Sequence, residues 1–64
     1  MNGNVDRTIV YPGVTFEYGT RLWVVESVSQ MDGFCRCYHE LGTGGRECRA
    51  FHWTVVAKAV QEGR

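Results

Sequence analysis

Short stretches of alternating apolar and polar residues run through this chain, and that alternation is typical of β-strands with one buried face. Val14, Phe16 and Tyr18 alternate with Thr15 and Glu17, which places the three apolar side chains on one side of an extended segment. Other stretches are rich in β-prone residues and are bounded by turn sequences. The predicted strands cover residues 8–11, 14–18, 21–30, 34–41 and 47–52.

Turns that contain glycine separate these predicted strands, at residues 12–13, 19–20, 32–33 and 42–45. Glycine adopts positive φ without steric penalty, which many tight turns require. Within residues 21–30 the apolar spacing changes from even, between Trp23 and Val25, to odd, between Val25 and Val28. This change favours a β-bulge, which bends a strand.

The two ends of the chain are less regular. Trp53, Val56 and Val60 have the spacing of one helical face, but the same stretch also fits a helical turn that leads into a strand. The pattern leaves both structures open for residues 53–62. Residues 1–7 are expected to be a flexible N-terminus, so the predicted single domain covers residues 8–62.

The spacing of glycines and apolar residues resembles that of the small SH3-like β-barrel. The resemblance covers about residues 8–61 and is carried by Gly13, Phe16, Gly19, Trp23, Val25, Val28, Phe51 and Val55. It implies an all-β fold, a barrel of four to five antiparallel strands with at most one short helical turn near the C-terminus. SH3-like barrels bind proteins, DNA or RNA, so the resemblance implies a scaffold and no particular partner. Size and architecture also resemble those of small phage or mobile-element proteins.

Composition narrows the function. The 64 residues carry seven basic and seven acidic side chains, so the formal net charge is zero and no long-range field attracts nucleic acid or anionic lipid. No apolar stretch has the length of a membrane span or the form of a signal peptide. The odd number of cysteines, three, favours free thiols and a cytoplasmic location, although a bridge from Cys48 to Cys35 or Cys37 stays open.

One cluster of cysteine and histidine residues has the chemistry of a zinc site: Cys35, Cys37, His39, Cys48 and His52. Alternate residues on a strand lie about 7 Å apart, which is awkward for binding one ion. Cysteine is also among the residue types most often buried. We therefore expect Cys35 and Cys37 to be core residues and expect no metal or other cofactor.

If the cysteines of residues 34–41 face the core, Phe34, Arg36 and Tyr38 lie on the outer face, because side chains alternate along a strand. The opposite register buries comparable apolar area and stays open. In the first register, aromatic and arginine side chains of the kind found at binding hot spots form a row. The predicted binding residues are Phe34, Arg36, Tyr38, Arg46, Arg49 and Trp53.

The sequence gives little support for catalysis, because residues 42–45 lack the lysine of a phosphate-binding loop and so short a chain has little volume for a substrate pocket. We expect a non-catalytic accessory or regulatory module that docks on a larger protein. The alternative is a nucleic-acid-binding module, in which Phe34, Tyr38 or Trp53 stacks on bases and Arg36, Arg46, Arg49 and Lys58 contact phosphates. Self-association through exposed strand edges is a third possibility.

Overall fold

The computed structural model describes residues 6–63 of the 64-residue chain. It contains a short 3-10 helix, four strands and one α-helix. They are the 3-10 helix Arg7–Ile9, β1 Thr15–Tyr18, β2 Arg21–Val28, β3 Phe34–Glu40, β4 Arg46–His52 and α1 Trp53–Glu62. The predicted flexible N-terminus, residues 1–7, lies mostly outside the described residues.

The four strands form an open antiparallel sheet in the order β1-β2-β3-β4. The fold is therefore mostly β, as the sequence predicts, but the sheet does not close into the predicted barrel, because β1 and β4 are not paired with each other. The apolar face that closure would enclose is covered by α1, which packs mainly against β1. One helix therefore takes the place of the missing closure.

The predicted strand over residues 8–11 is wrong, because this stretch begins in a 3-10 helix. The carboxylate of Asp6 accepts a hydrogen bond from the Thr8 N–H and caps that helix. After it, the predicted turn at Pro12 is present: the Val14 N–H donates to the Tyr11 carbonyl at 3.1 Å. The chain thus reaches β1 without an earlier strand.

The other predicted strands are present within two residues of their expected ends, and two predicted local features are confirmed. Gly19 and Thr20, with φ of +61° and +69°, form the two-residue turn between β1 and β2, since a type I′ turn needs positive φ at both positions. A register shift between Val25 and Ser27 marks the bulge in β2. The bulge explains why Val28 can reach the same apolar cluster as Val25.

The core lies between one face of the sheet and α1. Its buried apolar residues are Val10, Phe16, Trp23, Val25, Cys35, Cys37, Phe51, Val56 and Ala57. Phe51 packs edge-on against Phe16 and Trp23, with ring centroids 5.4 and 5.1 Å apart. Edge-to-face contacts of this kind stabilise aromatic pairs beyond their burial.

Helix α1 settles the structure of residues 53–62. Its ten residues form a full helix and not the short helical turn that was expected at most, and the alternative of a helical turn followed by a strand is wrong. The helix begins because the Nδ1 atom of His52 accepts a hydrogen bond from the Thr54 N–H at 3.4 Å, in the manner of an N-cap. It buries Val56 and Ala57 against the sheet. Within residues 6–63, no helix is long and apolar enough to cross a membrane.

Gly33 tests the junction between β3 and α1. It has φ of +80°, and a Cβ atom there would lie 2.9 Å from both Nε2 of His52 and Cδ1 of Trp53. We expect Gly33→Ala to lower the free energy of unfolding by about 1 to 3 kcal/mol, measured by urea denaturation. The control is Gly42→Ala, where a Cβ meets nothing within 4 Å. Equal effects of the two substitutions would contradict this account.

Candidate functional site

The face of the sheet opposite α1 is not covered by any other element of the described chain. We call it the open face, and its central residues are Leu22, Val24, Phe34, Arg36, Tyr38, Arg46, Cys48 and Ala50. Leu22 and Phe34 are 57% and 46% exposed. The open face thus combines exposed apolar side chains with two arginines.

The register of β3 is the one in which the cysteines face inward. Cys35 and Cys37 are fully buried, whereas Phe34 and Arg36 are exposed and Tyr38 is half-buried. The register places Tyr38 directly between Val24 of β2 and Cys48 of β4. The outward row of Phe34, Arg36 and Tyr38 is therefore present.

Neighbouring side chains hold the arginines and aromatics of the open face in place. The guanidinium of Arg46 lies over the ring of Tyr38, 4.1 Å from its centroid, and 3.4 Å from a carboxylate oxygen of Glu40. The ring of Phe34 packs edge-on against His52 at 5.2 Å. Side chains positioned in advance lose less conformational entropy when a partner binds.

Each arginine of the open face has a carboxylate beside it. Arg36 lies 3.6 Å from Glu26, and Arg46 pairs with Glu40. All of these side chains are at least half exposed, so the pairs contribute little to stability. They do offset the positive charge of the face, which lowers its attraction for phosphate.

The structure brings together four of the six predicted binding residues: Phe34, Arg36, Tyr38 and Arg46. Arg49 lies on the opposite side of β4, with its guanidinium 5.4 Å from the Trp23 ring and 3.7 Å from Glu47. Trp53 is the first residue of α1 and is half-buried, with Arg7 over its ring at 5.5 Å. These two residues do not belong to the open face.

Sequence reasoning missed four residues of the open face, Leu22, Val24, Cys48 and Ala50. The signal was the alternation along β2 and β4, read once the pairing of these strands with β3 is known. It was hidden in β2 because residues 22–25 are apolar on both faces, before the bulge begins. It was hidden in β4 because residues 46–50 include no large apolar side chain that would mark one face.

The five candidate zinc ligands are divided between the two faces of the sheet. Cys35, Cys37 and His39 face the core, while Cys48 and His52 lie on the other side. Within residues 6–63, no three His, Cys, Asp or Glu side chains are grouped to hold a metal ion. All three cysteines are free, and the sheet separates Cys48 from the other two, so neither open disulfide pairing forms.

Burial controls the reactivity of the inner thiols. It raises the pKa of Cys37 to about 12, and the pKa of Cys35 is also raised, again mainly by burial. Reactive cysteines require the thiolate form and access to solvent. Cys35 and Cys37 lack both, whereas Cys48 is exposed.

We expect one thiol per chain to react with the disulfide reagent DTNB in dilute native protein, and all three after denaturation. Absorbance of the released thiolate measures both numbers. Cys48→Ser should abolish the fast reaction of the native protein. Fast reaction of that variant would show that the core cysteines are accessible.

The imidazole of His39 lies at the border of the core, where β3 pairs with β4. His39 is 7% exposed, and its ring packs edge-on against Trp23 at 4.5 Å. Its Nε2 donates to the Glu47 carboxylate at 2.8 Å, and Arg21 donates to the same oxygen at 3.2 Å. The hydrogen bond from His39, followed by the charges of His39, Arg21 and Arg49, lowers the pKa of Glu47, although partial desolvation opposes the shift.

This arrangement predicts a loss of stability in acid. A carboxyl group whose pKa is lowered by folding stabilises the native state above its ordinary value of about 4.5, and the effect is lost as the pH falls below that value through the folded pKa. The free energy of unfolding, measured with urea, should therefore decline between pH 6 and pH 3. In the variant Glu47→Gln this decline should be shallower. Glu17→Gln, which removes an exposed carboxylate on β1, a strand that does not pair with β3, is the control and should keep the wild-type slope. Identical slopes for Glu47→Gln and wild type would contradict the prediction.

Comparison of the chain with protein-family models, curated proteins and solved structures gave no match. The resemblance to SH3-like barrels gains no support from these comparisons.

Proposed function

We propose that this chain is a non-catalytic binding module that docks on a larger protein through the open face. The observation that carries the proposal is an uncovered sheet face on which exposed apolar side chains lie beside positioned arginine and aromatic side chains. Burial of such residues supplies most of the affinity at protein interfaces. We place this module in the cytoplasm, where its free thiols stay reduced.

The size of the open face bears on the kind of complex. Four strands of four, eight, seven and seven residues side by side give a face of about 400 Å² in projection. A stable interface buries about 800 Å² on each partner. Because that buried area is accessible surface, which exceeds the flat projection beneath the same side chains, a partner would have to cover most of the open face to form a stable complex.

Charge favours a protein over a nucleic acid as the partner. Carboxylates accompany the arginines of the open face, and phosphate contacts normally supply most of the affinity for nucleic acid. Nucleic acid stays the second candidate because Arg46 and Tyr38 already form a cation–π stack, and bases stack on such groups.

The binding face is tested by capture from lysates of the native host with the immobilised chain, with and without nuclease. Arg36→Ala should remove a contact of the open face while changing the free energy of unfolding by less than about 0.5 kcal/mol. We expect it to weaken binding of a captured partner by about 1 to 3 kcal/mol. Lys58→Ala, at an exposed position of helix α1, is the matched control and should bind normally.

Salt and nuclease separate the two candidates. For a protein partner, we expect capture to survive nuclease treatment and the affinity to change less than about tenfold between low and moderate salt. For a nucleic acid that binds through several phosphates, we expect the affinity to fall more steeply with salt. Normal binding by Arg36→Ala together with loss of binding by Lys58→Ala would place the site on the other side of the molecule.

A further inference from the structure

Strand β4 lies at one edge of the sheet, and the hydrogen-bond pattern shows which of its backbone groups are free of β3. At the two ends of the β3–β4 ladder, the Trp53 N–H donates to the Gly33 carbonyl and the Leu41 N–H donates to the Gly45 carbonyl, both at 2.8 Å. Hydrogen-bonded and non-hydrogen-bonded pairs alternate along an antiparallel ladder. The phase of the whole ladder is therefore fixed.

That phase directs the N–H and C=O groups of Arg46, Cys48 and Ala50 away from β3. Their partners across the ladder are Glu40, Tyr38 and Arg36, the non-hydrogen-bonded pairs. All three residues of β4 are exposed. The outer edge of β4 thus presents a row of donors and acceptors to which another strand can pair.

The other sheet edge offers less. Strand β1 has four residues, against seven in β4, and α1 packs against it. A strand added to this molecule would therefore gain more hydrogen bonds at β4.

The charges of β4 select a second copy of the same strand in one register. Two identical strands that pair antiparallel are related by a two-fold axis. With the axis at Cys48, Glu47 of each copy lies opposite Arg49 of the other, on the same face. Opposite charges at facing positions stabilise a strand pair, whereas like charges destabilise it.

The neighbouring registers lack this match. An axis at Arg46, Glu47 or Arg49 would place that residue opposite its own copy, so like charges would face each other. An axis at Ala50 would bring no opposite charges together. The axis at Cys48 alone, among registers centred on residues 46–50, gives two favourable charge pairs.

We propose that two copies of this chain pair antiparallel along β4, about a two-fold axis at Cys48, and join their four-stranded sheets into one. The pairing adds roughly six backbone hydrogen bonds. Glu47 and Arg49 already lie 3.7 Å apart within each chain, so the interface gathers two carboxylates and two guanidiniums.

A disulfide between the two copies of Cys48 would report this register. Facing residues in a hydrogen-bonded antiparallel pair have Cα atoms about 5.5 Å apart, within the range that a disulfide spans. Diamide takes two electrons and two protons from the facing thiols, joins the sulfur atoms and becomes the hydrazine. The other two cysteines are buried and do not compete.

The test combines sedimentation equilibrium of the reduced full chain with diamide oxidation and mapping of the disulfide by mass spectrometry. We expect a reversible dimer that oxidation links through Cys48. Ala50→Pro removes an outward N–H and spares the β3 ladder, and it should weaken dimerisation at least tenfold. Arg49→Glu places a carboxylate opposite Glu47 of the second copy and should have a similar effect, whereas Lys58→Glu, the same charge change on α1, should have none.

A second cysteine position checks the register. In the double variant Cys48→Ser, Ala50→Cys, the new thiols lie opposite Arg46 of the other copy, about 13 Å from each other along the strand direction, so linking should be much slower than in wild type. Equal linking rates, a monomeric wild type at high micromolar concentration, or a dimer that Ala50→Pro leaves intact would each overturn the proposal. Circular dichroism confirms that each variant is folded.

Discussion

Everything in this fold depends on burying one face of an open sheet with a single short helix. A barrel encloses its apolar face by pairing its first and last strands, but here the chain turns from β4 directly into α1. The helix covers one side, where nine apolar residues among residues 6–63 form the core. No element of the described chain covers the other side or the outer edge of β4, and both proposals arise from this asymmetry.

Small side chains make up much of this core. Strand β3, one of the two inner strands, contributes Cys35 and Cys37, and α1 contributes Val56 and Ala57, all of them fully buried in one cluster. Close packing of such residues gains dispersion contacts that voids would lose. Larger aromatics, Phe16, Trp23 and Phe51, fill the space to the side and pack edge-on against one another.

Local features of this fold could be predicted from sequence, and features that depend on distant contacts could not. Alternation gave the strand over residues 14–18, glycine turns gave the hairpins, and a change of spacing gave the bulge near Ser27. Closure failed as a prediction because it depends on the last segment, whose apolar spacing fits both helix and strand. The deciding signal was local and polar: His52 caps the helix through the Thr54 N–H.

In the candidate site, too, local features could be predicted from sequence and features that depend on distant contacts could not. Once the cysteines are placed inward, strand alternation puts Phe34, Arg36 and Tyr38 on the outer face. Whether Arg46 or Arg49 joins them depends on the register between β3 and β4, which is set by the loop between these strands. Sequence reasoning therefore grouped both arginines, although adjacent odd and even positions of one strand lie on opposite faces.

The free edge of β4 and the open face together determine the area that is available to a partner. One open face has a projected area of about 400 Å². A two-fold axis perpendicular to the sheet places both open faces on the same side, with Cys48 and Ala50 of each copy at the seam. The paired sheets then offer twice that projected area, about 800 Å², so association along β4 would join two small docking faces into one continuous face.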